Sequence, residues 1–194
     1  IKMAAKGDLQ RSDDILAFVT SNEIIQHLVR IPVQLDAVCY SWDRNFMSRD
    51  SPKTMTVLYE AITLKLWQKD LSLLQQLDPS KNLTEDTIRG FSMVKIEGMI
   101  QKELRLVELL AFTGMHNGLV EFSADDRQRL YDALIQQGML IPDIPESILR
   151  RVSFLNTSDT SALDSDQTYH FLHLTFQEFF AARYFVRQWM ERGQ

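Results

Sequence analysis

The side chains best suited to ligating a metal or carrying a proton near neutrality are four histidines and a single cysteine. Only His170 and His173 stand close together. On an extended strand, residues three apart point to opposite faces, so this pair does not make a metal site. His173 lies two residues ahead of Thr175, and Thr175 with Glu178 has the spacing of a capping box that opens a helix. A helix start offers free N–H donors and positive potential, which suits an imidazole there to sensing an anion such as phosphate. A structural histidine at a strand end is the alternative. Cys39 sits inside an apolar helical run, where a buried thiol is the usual case. His27 and His116 have no partner visible in the sequence. None of the seven glycines begins a G-x-x-x-x-G-K-[ST] run, the pattern whose backbone amides and lysine cradle phosphates. Neither G-x-S-x-G nor H-E-x-x-H occurs. No catalytic residue and no metal ligand is expected.

The elements that must hold these residues follow from composition and period. The 194 residues carry 21 Lys and Arg against 26 Asp and Glu, a formal charge of −5, with 45% apolar residues. That composition excludes disorder and a disulfide scaffold, and its acidity gives no general attraction for nucleic acid or anionic lipid. No stretch of about 18 apolar residues is present, so no spanning helix and a cytoplasmic location are expected. The first residue is Ile, which suggests a piece of a longer chain.

Apolar residues recur at three- and four-residue steps through the first half, the helical period. Thr20 with Glu23 predicts a capping box and a helix over roughly residues 21 to 29, and Pro32 opens a second helix running to about Asn45. Ser51-Pro52 starts a long helix with Met55, Leu58, Tyr59, Ile62 and Leu66 on one side. The turn-like stretch Asp78 to Asn82 marks a boundary between a helical subdomain, roughly residues 1–78, and a second subdomain, roughly 79–194.

In the second part Thr84 opens a helical region whose apolar side is Leu104, Val107, Leu110 and Ala111, with Gly114 and Gly118 as stops. Ser123 with Asp126 caps a helix that runs to Gly138. Val152, Phe154 and Leu155 predict a short strand, residues 156–167 a polar loop, and Tyr169 to Leu174 a second strand. The fold class is therefore mostly α: a helical bundle followed by a winged-helix subdomain with a small β-hairpin. The last helix carries Phe176, Phe179, Phe180, Tyr184, Phe185, Val186 and Trp189, which wrap too far round the axis for one face to bury. Exposed apolar surface is expected at Phe185, Trp189 and Met190, while Arg183 and Arg187 share a sector and are either solvated or paired.

Phe171 to Ala182, FLHLTFQEFFAA, resembles the end of the winged-helix subdomain in NACHT proteins, the NOD-like-receptor branch of the STAND signalling NTPases. Ile31 to Tyr40 resembles the proline-containing helix start of that family's first helical subdomain, and the run from Lys53 to Trp67 is closest to fungal members. In these proteins ADP is clamped between a nucleotide-binding subdomain and two helical ones, and exchange for ATP permits oligomerisation. The resemblance implies that Pro32 lies against the adenine and His173 at the β-phosphate. Arg30 stands where relatives often carry Gly two residues before that proline.

With no phosphate-cradling loop, the chain is expected to be a regulatory lid and not an enzyme, its ADP or ATP held by an N-terminal subdomain of the parent NTPase. Further partners implied are downstream repeats such as ankyrin and other copies of the full-length protein. The process implied is nonself recognition, cell death or innate-immune-type signalling. Two other readings stand beside this one. A helical protein-interaction module would dock through the aromatic last helix. A winged-helix DNA binder would use the helix from Ala124 to Gln137, where Arg127 and Arg129 face Asp125, Asp126 and Asp132. That charge balance, with only Arg150 and Arg151 near the wing, disfavours phosphate neutralisation.

Overall fold

The computed structural model describes residues 8–42, 54–75, 84–136, 149–158 and 167–192. Among them nine helices and three short strands form a mostly α architecture with one small antiparallel sheet. The chain divides into two compact units, Ile1–Lys65 and Leu66–Gln194. The expected boundary turn at 78–82, the Ser51-Pro52 start and the Gly138 stop lie outside the described residues, while the helix opened by Pro32, expected to run to about Asn45, ends at Ser41.

The first unit contains α1 (Asp8–Ser21), α2 (Glu23–Leu28), α3 (Pro32–Ser41) and the start of α4 (Met55–Gln75). Thr20 and Glu23 do not form the expected box. Helix α1 runs through Thr20, whose hydroxyl bonds back to the Leu16 carbonyl at 2.8 Å, and Asn22 becomes the cap, accepting from the Ile24 and Ile25 amides. Pro32 occupies the first turn of α3, where its missing N–H costs nothing. The Arg11 guanidinium donates to the Cys39 carbonyl at 2.9 Å, near the end of α3, where carbonyls lack helical partners. Ile15, Phe18, Ile25, Leu28, Val38, Trp42, Leu58 and Ile62 are buried, Phe18 meets Trp42 edge to face, and the buried Gln34 donates to the Tyr59 hydroxyl.

The second unit takes α4 from Leu66 onward, then α5 (Glu85–Arg89), α6 (Met93–Met99) and α7 (Gln101–Asn117). The predicted apolar side of α7 is buried at Leu104, Val107, Leu110 and Ala111. Gly118 ends α7 in the left-handed region at φ 67°. Gly114 is not a stop but a buried point of close approach inside the helix: a Cβ there would lie 2.6 Å from Phe122 Cζ and also collide with Gln177.

Strand β1 (Glu121–Phe122) follows, then α8 (Ala124–Gln136), β2 (Leu155–Thr157), β3 (Tyr169–Phe171) and α9 (Leu174–Arg192). The predicted Ser123–Asp126 box is in place: the Ser123 hydroxyl accepts the Asp126 amide, and Asp126 accepts the Ser123 N–H at 3.0 Å. Strand β3 lies between β1 and β2, antiparallel to both, with Phe122 opposite Tyr169 and Leu155 opposite Phe171. This order, a strand after the first helix and a hairpin whose second strand is central, is the connectivity of a winged helix. The predicted first strand of the hairpin is shifted: Val152 and Phe154 belong to the buried turn that leads into it.

Candidate functional site

Helix α9 begins at Leu174, two residues before the start that a cap at Thr175 implies, and this changes what His173 does. Thr175 and Glu178 become the second and fifth helical residues, so they do not have cap geometry. His173 takes the capping position instead. Its Nδ1 accepts the Thr175 amide at 3.2 Å and lies 3.0 Å from the Thr175 hydroxyl, while its carbonyl accepts the Phe176 amide. An amide can only donate, so Nδ1 is the bare nitrogen and the neutral ring carries its proton on Nε2. His173 is half-buried in the second unit. Pro32 is exposed in the first unit, at the start of α3.

Helix α8 is tied to the hairpin by Arg127, an arginine among the charges that a DNA-binding helix would use. Arg127 of α8 is 1% exposed, its guanidinium donates to the Gln167 carbonyl, and it stacks 4.9 Å from the Tyr169 ring centre. The Gln167 side chain in turn accepts from Arg150 at 2.8 Å and from the Tyr169 hydroxyl. Arg127 is thus committed to holding α8 against the hairpin. The exposed charges left on α8 are Asp125, Arg129 and Asp132, a poor surface for duplex phosphates.

Helices α7 and α9 are tied by charge as well as by apolar packing. Glu108 is fully buried among leucines of α7, and its Oε1 accepts from Arg183 Nε at 3.1 Å and Arg187 Nη2 at 2.9 Å. Arg183 also pairs with Glu97, and Arg105 of α7 reaches Glu191 at 3.5 Å. The two arginines are therefore paired, not solvated. Burial pushes the Glu108 carboxyl up, against the pull of Arg187 and Arg183. The sequence carried a usable signal: a glutamate amid Leu106, Val107, Leu109 and Leu110, with arginines four apart on another helix.

A second buried carboxylate lies near the hairpin. Asp70, fully buried on α4, accepts the Ser153 hydroxyl at Oδ1 (2.5 Å) and the Ser153 amide at Oδ2 (2.8 Å). Burial raises its carboxyl from 3.8 to about 6, the Ser153 bonds and Lys69 opposing. Next to it the Phe154 ring packs on Trp67, Phe176 and Phe180 at centre distances of 5.0, 5.7 and 4.8 Å. No local pattern in the sequence pairs residues 70 and 153.

The far side of α9 is open. Phe185, Trp189 and Met190 are 57%, 74% and 66% exposed, as the sequence predicts, and Phe185 and Trp189 stack on each other. Among the described residues no three His, Cys, Asp or Glu side chains gather as a metal site, and no helix is long and apolar enough to cross a membrane. Cys39 is only partly buried; burial and Asp36 push its thiol up, away from reactivity.

Residues 10–54 match a family described as a domain of unknown function, DUF7068. No curated protein and no solved structure matches the chain.

Proposed function

We propose that this chain is the regulatory, nucleotide-sensing lid of a NACHT-type signalling NTPase of the cytoplasm. It keeps the ADP-bound parent inactive and relays ATP exchange to oligomerisation in a nonself-recognition, cell-death or innate-immune-type response. The sequence resemblance over residues 171–182 motivates this reading. The observation that carries it is the division of labour on one imidazole: Nδ1 of His173 is spent on the helix start, which leaves Nε2–H as a donor whose ring orientation is already fixed. A phosphate oxygen in front of α9 would meet that donor with no ordering of the side chain left to do. In this reading the nucleotide is held by the parent's N-terminal subdomain, Pro32 lies against its base, and downstream repeats and further copies are the partners.

Because His173 also caps a helix, its removal has two consequences that must be separated. His173→Ala loses cap and donor together, whereas Asn caps a helix well but cannot place a donor where Nε2 stands. In the full-length parent, His173→Asn is expected to keep the melting temperature of the wild type and weaken ADP binding roughly ten- to a hundredfold, the value of one charge-assisted bond. Pro32→Ala should weaken it less. ADP affinity and autoinhibition unchanged in all three variants would remove the nucleotide reading.

A second reading, a helical interaction module, is favoured by one observation: the Phe185–Val186–Trp189–Met190 stripe is left uncovered. The DNA-binding reading loses its main cation, since Arg127 is buried under the wing.

A further inference from the structure

Residues Arg150-Arg151-Val152-Ser153-Phe154 place two arginines three and two positions before a serine, and a large apolar residue after it. Kinases that choose serines by charge hold such arginines with carboxylates along the peptide groove, and an apolar pocket takes the following side chain. In the folded chain Arg150 is exposed and Arg151 and Ser153 are half-buried, but Val152 and Phe154 belong to the core. The serine's hydroxyl and amide are both given to Asp70. A kinase, which needs its substrate extended, therefore meets this segment only when it leaves Asp70.

We propose that Ser153 is a phosphoacceptor for an arginine-directed serine kinase, gated by the Asp70 contact, and that its phosphorylation holds the segment before β2 off α4. In the transfer, Ser153 Oγ bonds to the γ-phosphorus of ATP, the bond to the β-phosphate oxygen breaks, and ADP leaves with that electron pair. The hydroxyl proton, given to Asp70 in the closed segment, passes to the kinase's catalytic carboxylate. The product carries roughly −1.5 to −2 charges. It cannot reseat, because its place faces a fully buried carboxylate that has lost its hydroxyl donor. Phe154, adjoining in the chain, is then drawn from its seat on Trp67, Phe176 and Phe180, so the mark on Ser153 is transmitted to α9. Phosphorylation traps an open state that the unmodified chain visits rarely. It requires no nucleotide site in this chain and stands apart from the lid reading.

The 194-residue chain is incubated with ATP and a purified arginine-directed serine kinase, beside a peptide spanning residues 149–158, and the phosphate is located by peptide mass mapping. Ser153 should be modified in the chain roughly a hundred- to ten-thousandfold more slowly than in the peptide, because two hydrogen bonds to a carboxylate must open first. The variant with Arg150→Gln and Arg151→Gln should not be modified. Absence of phosphate on Ser153 in the chain after kinase exposure extended, on the peptide's measured rate, by more than the slowing expected overturns the acceptor; equal rates overturn the gate. A second arm needs no kinase: amide exchange at Phe154 and Leu155 should be at least about tenfold faster in Ser153→Glu than in Ser153→Ala. That difference should shrink when Asp70→Asn is added. Equal exchange in the two Ser153 variants overturns the charge trap.

Discussion

Replacing Asp70 by Asn should stabilise the second unit at neutral pH, and the gain should vanish in acid. The carboxyl is fully buried with a folded value of about 6, against 3.8 when free. A folded value above the unfolded one means the native state holds the proton more tightly. The stabilising effect is complete below the unfolded value and is lost as pH rises through the folded one. Two units at about 1.36 kcal/mol each give ~3 kcal/mol lost between roughly pH 4 and 6. Asn keeps the shape, its oxygen can accept the Ser153 amide, and it has no charge to strand. Urea unfolding of wild type and Asp70→Asn across this window should show the difference growing with pH, with unchanged slope against denaturant. Glu108, also raised by burial, adds a fall of the same sign, and Asp126, lowered by the Ser123 hydroxyl, adds a small rise. Both are common to the two proteins and cancel in the comparison. A difference that is flat with pH, or Asp70→Asn less stable than the wild type at neutral pH, would show that Ser153 stabilises the carboxylate as much as or more than burial penalises it.

Three further substitutions probe the rest of the second unit. Gly114→Ala pushes a methyl into Phe122 and Gln177 and should cost about 1–3 kcal/mol in urea unfolding, although alanine is the better helix former; a gain would mean those neighbours yield freely. Arg187→Gln takes one of its two cations from the fully buried Glu108 and should cost about 1–3 kcal/mol in urea unfolding. The loss should shrink in the Glu108→Gln background, measured as a double-mutant cycle. Trp189→Ser, at a position 74% exposed, should change the melting free energy by less than about 0.5 kcal/mol while lowering binding of an apolar dye.

Where the sequence was legible, the cause lay within a few residues. The helical period of α4 and α7, Pro32 at a helix start, and the Ser123–Asp126 box all depend on neighbours three or four positions away. The two misread boxes failed because a helix boundary moved. With α1 running through Thr20, and α9 starting at Leu174, residues of the right type stood at the wrong helical positions. In both cases the cap passed to a neighbour, Asn22 or His173. The two-residue strand β1 has no period to detect and exists because β3 pairs with it.

The candidate site divides along the same line. Its imidazole, its aromatic helix and the open face of that helix follow from residue types and the turn of an α-helix, which neighbouring residues impose through their own backbone bonds. Tertiary structure alone decided that Arg127 is buried against Gln167 and Tyr169, that Glu108 gathers two arginines, and that Asp70 meets a serine 83 residues away. Those contacts hold because apolar packing brings distant segments together and leaves each polar group in the interior only the partners that arrive with them.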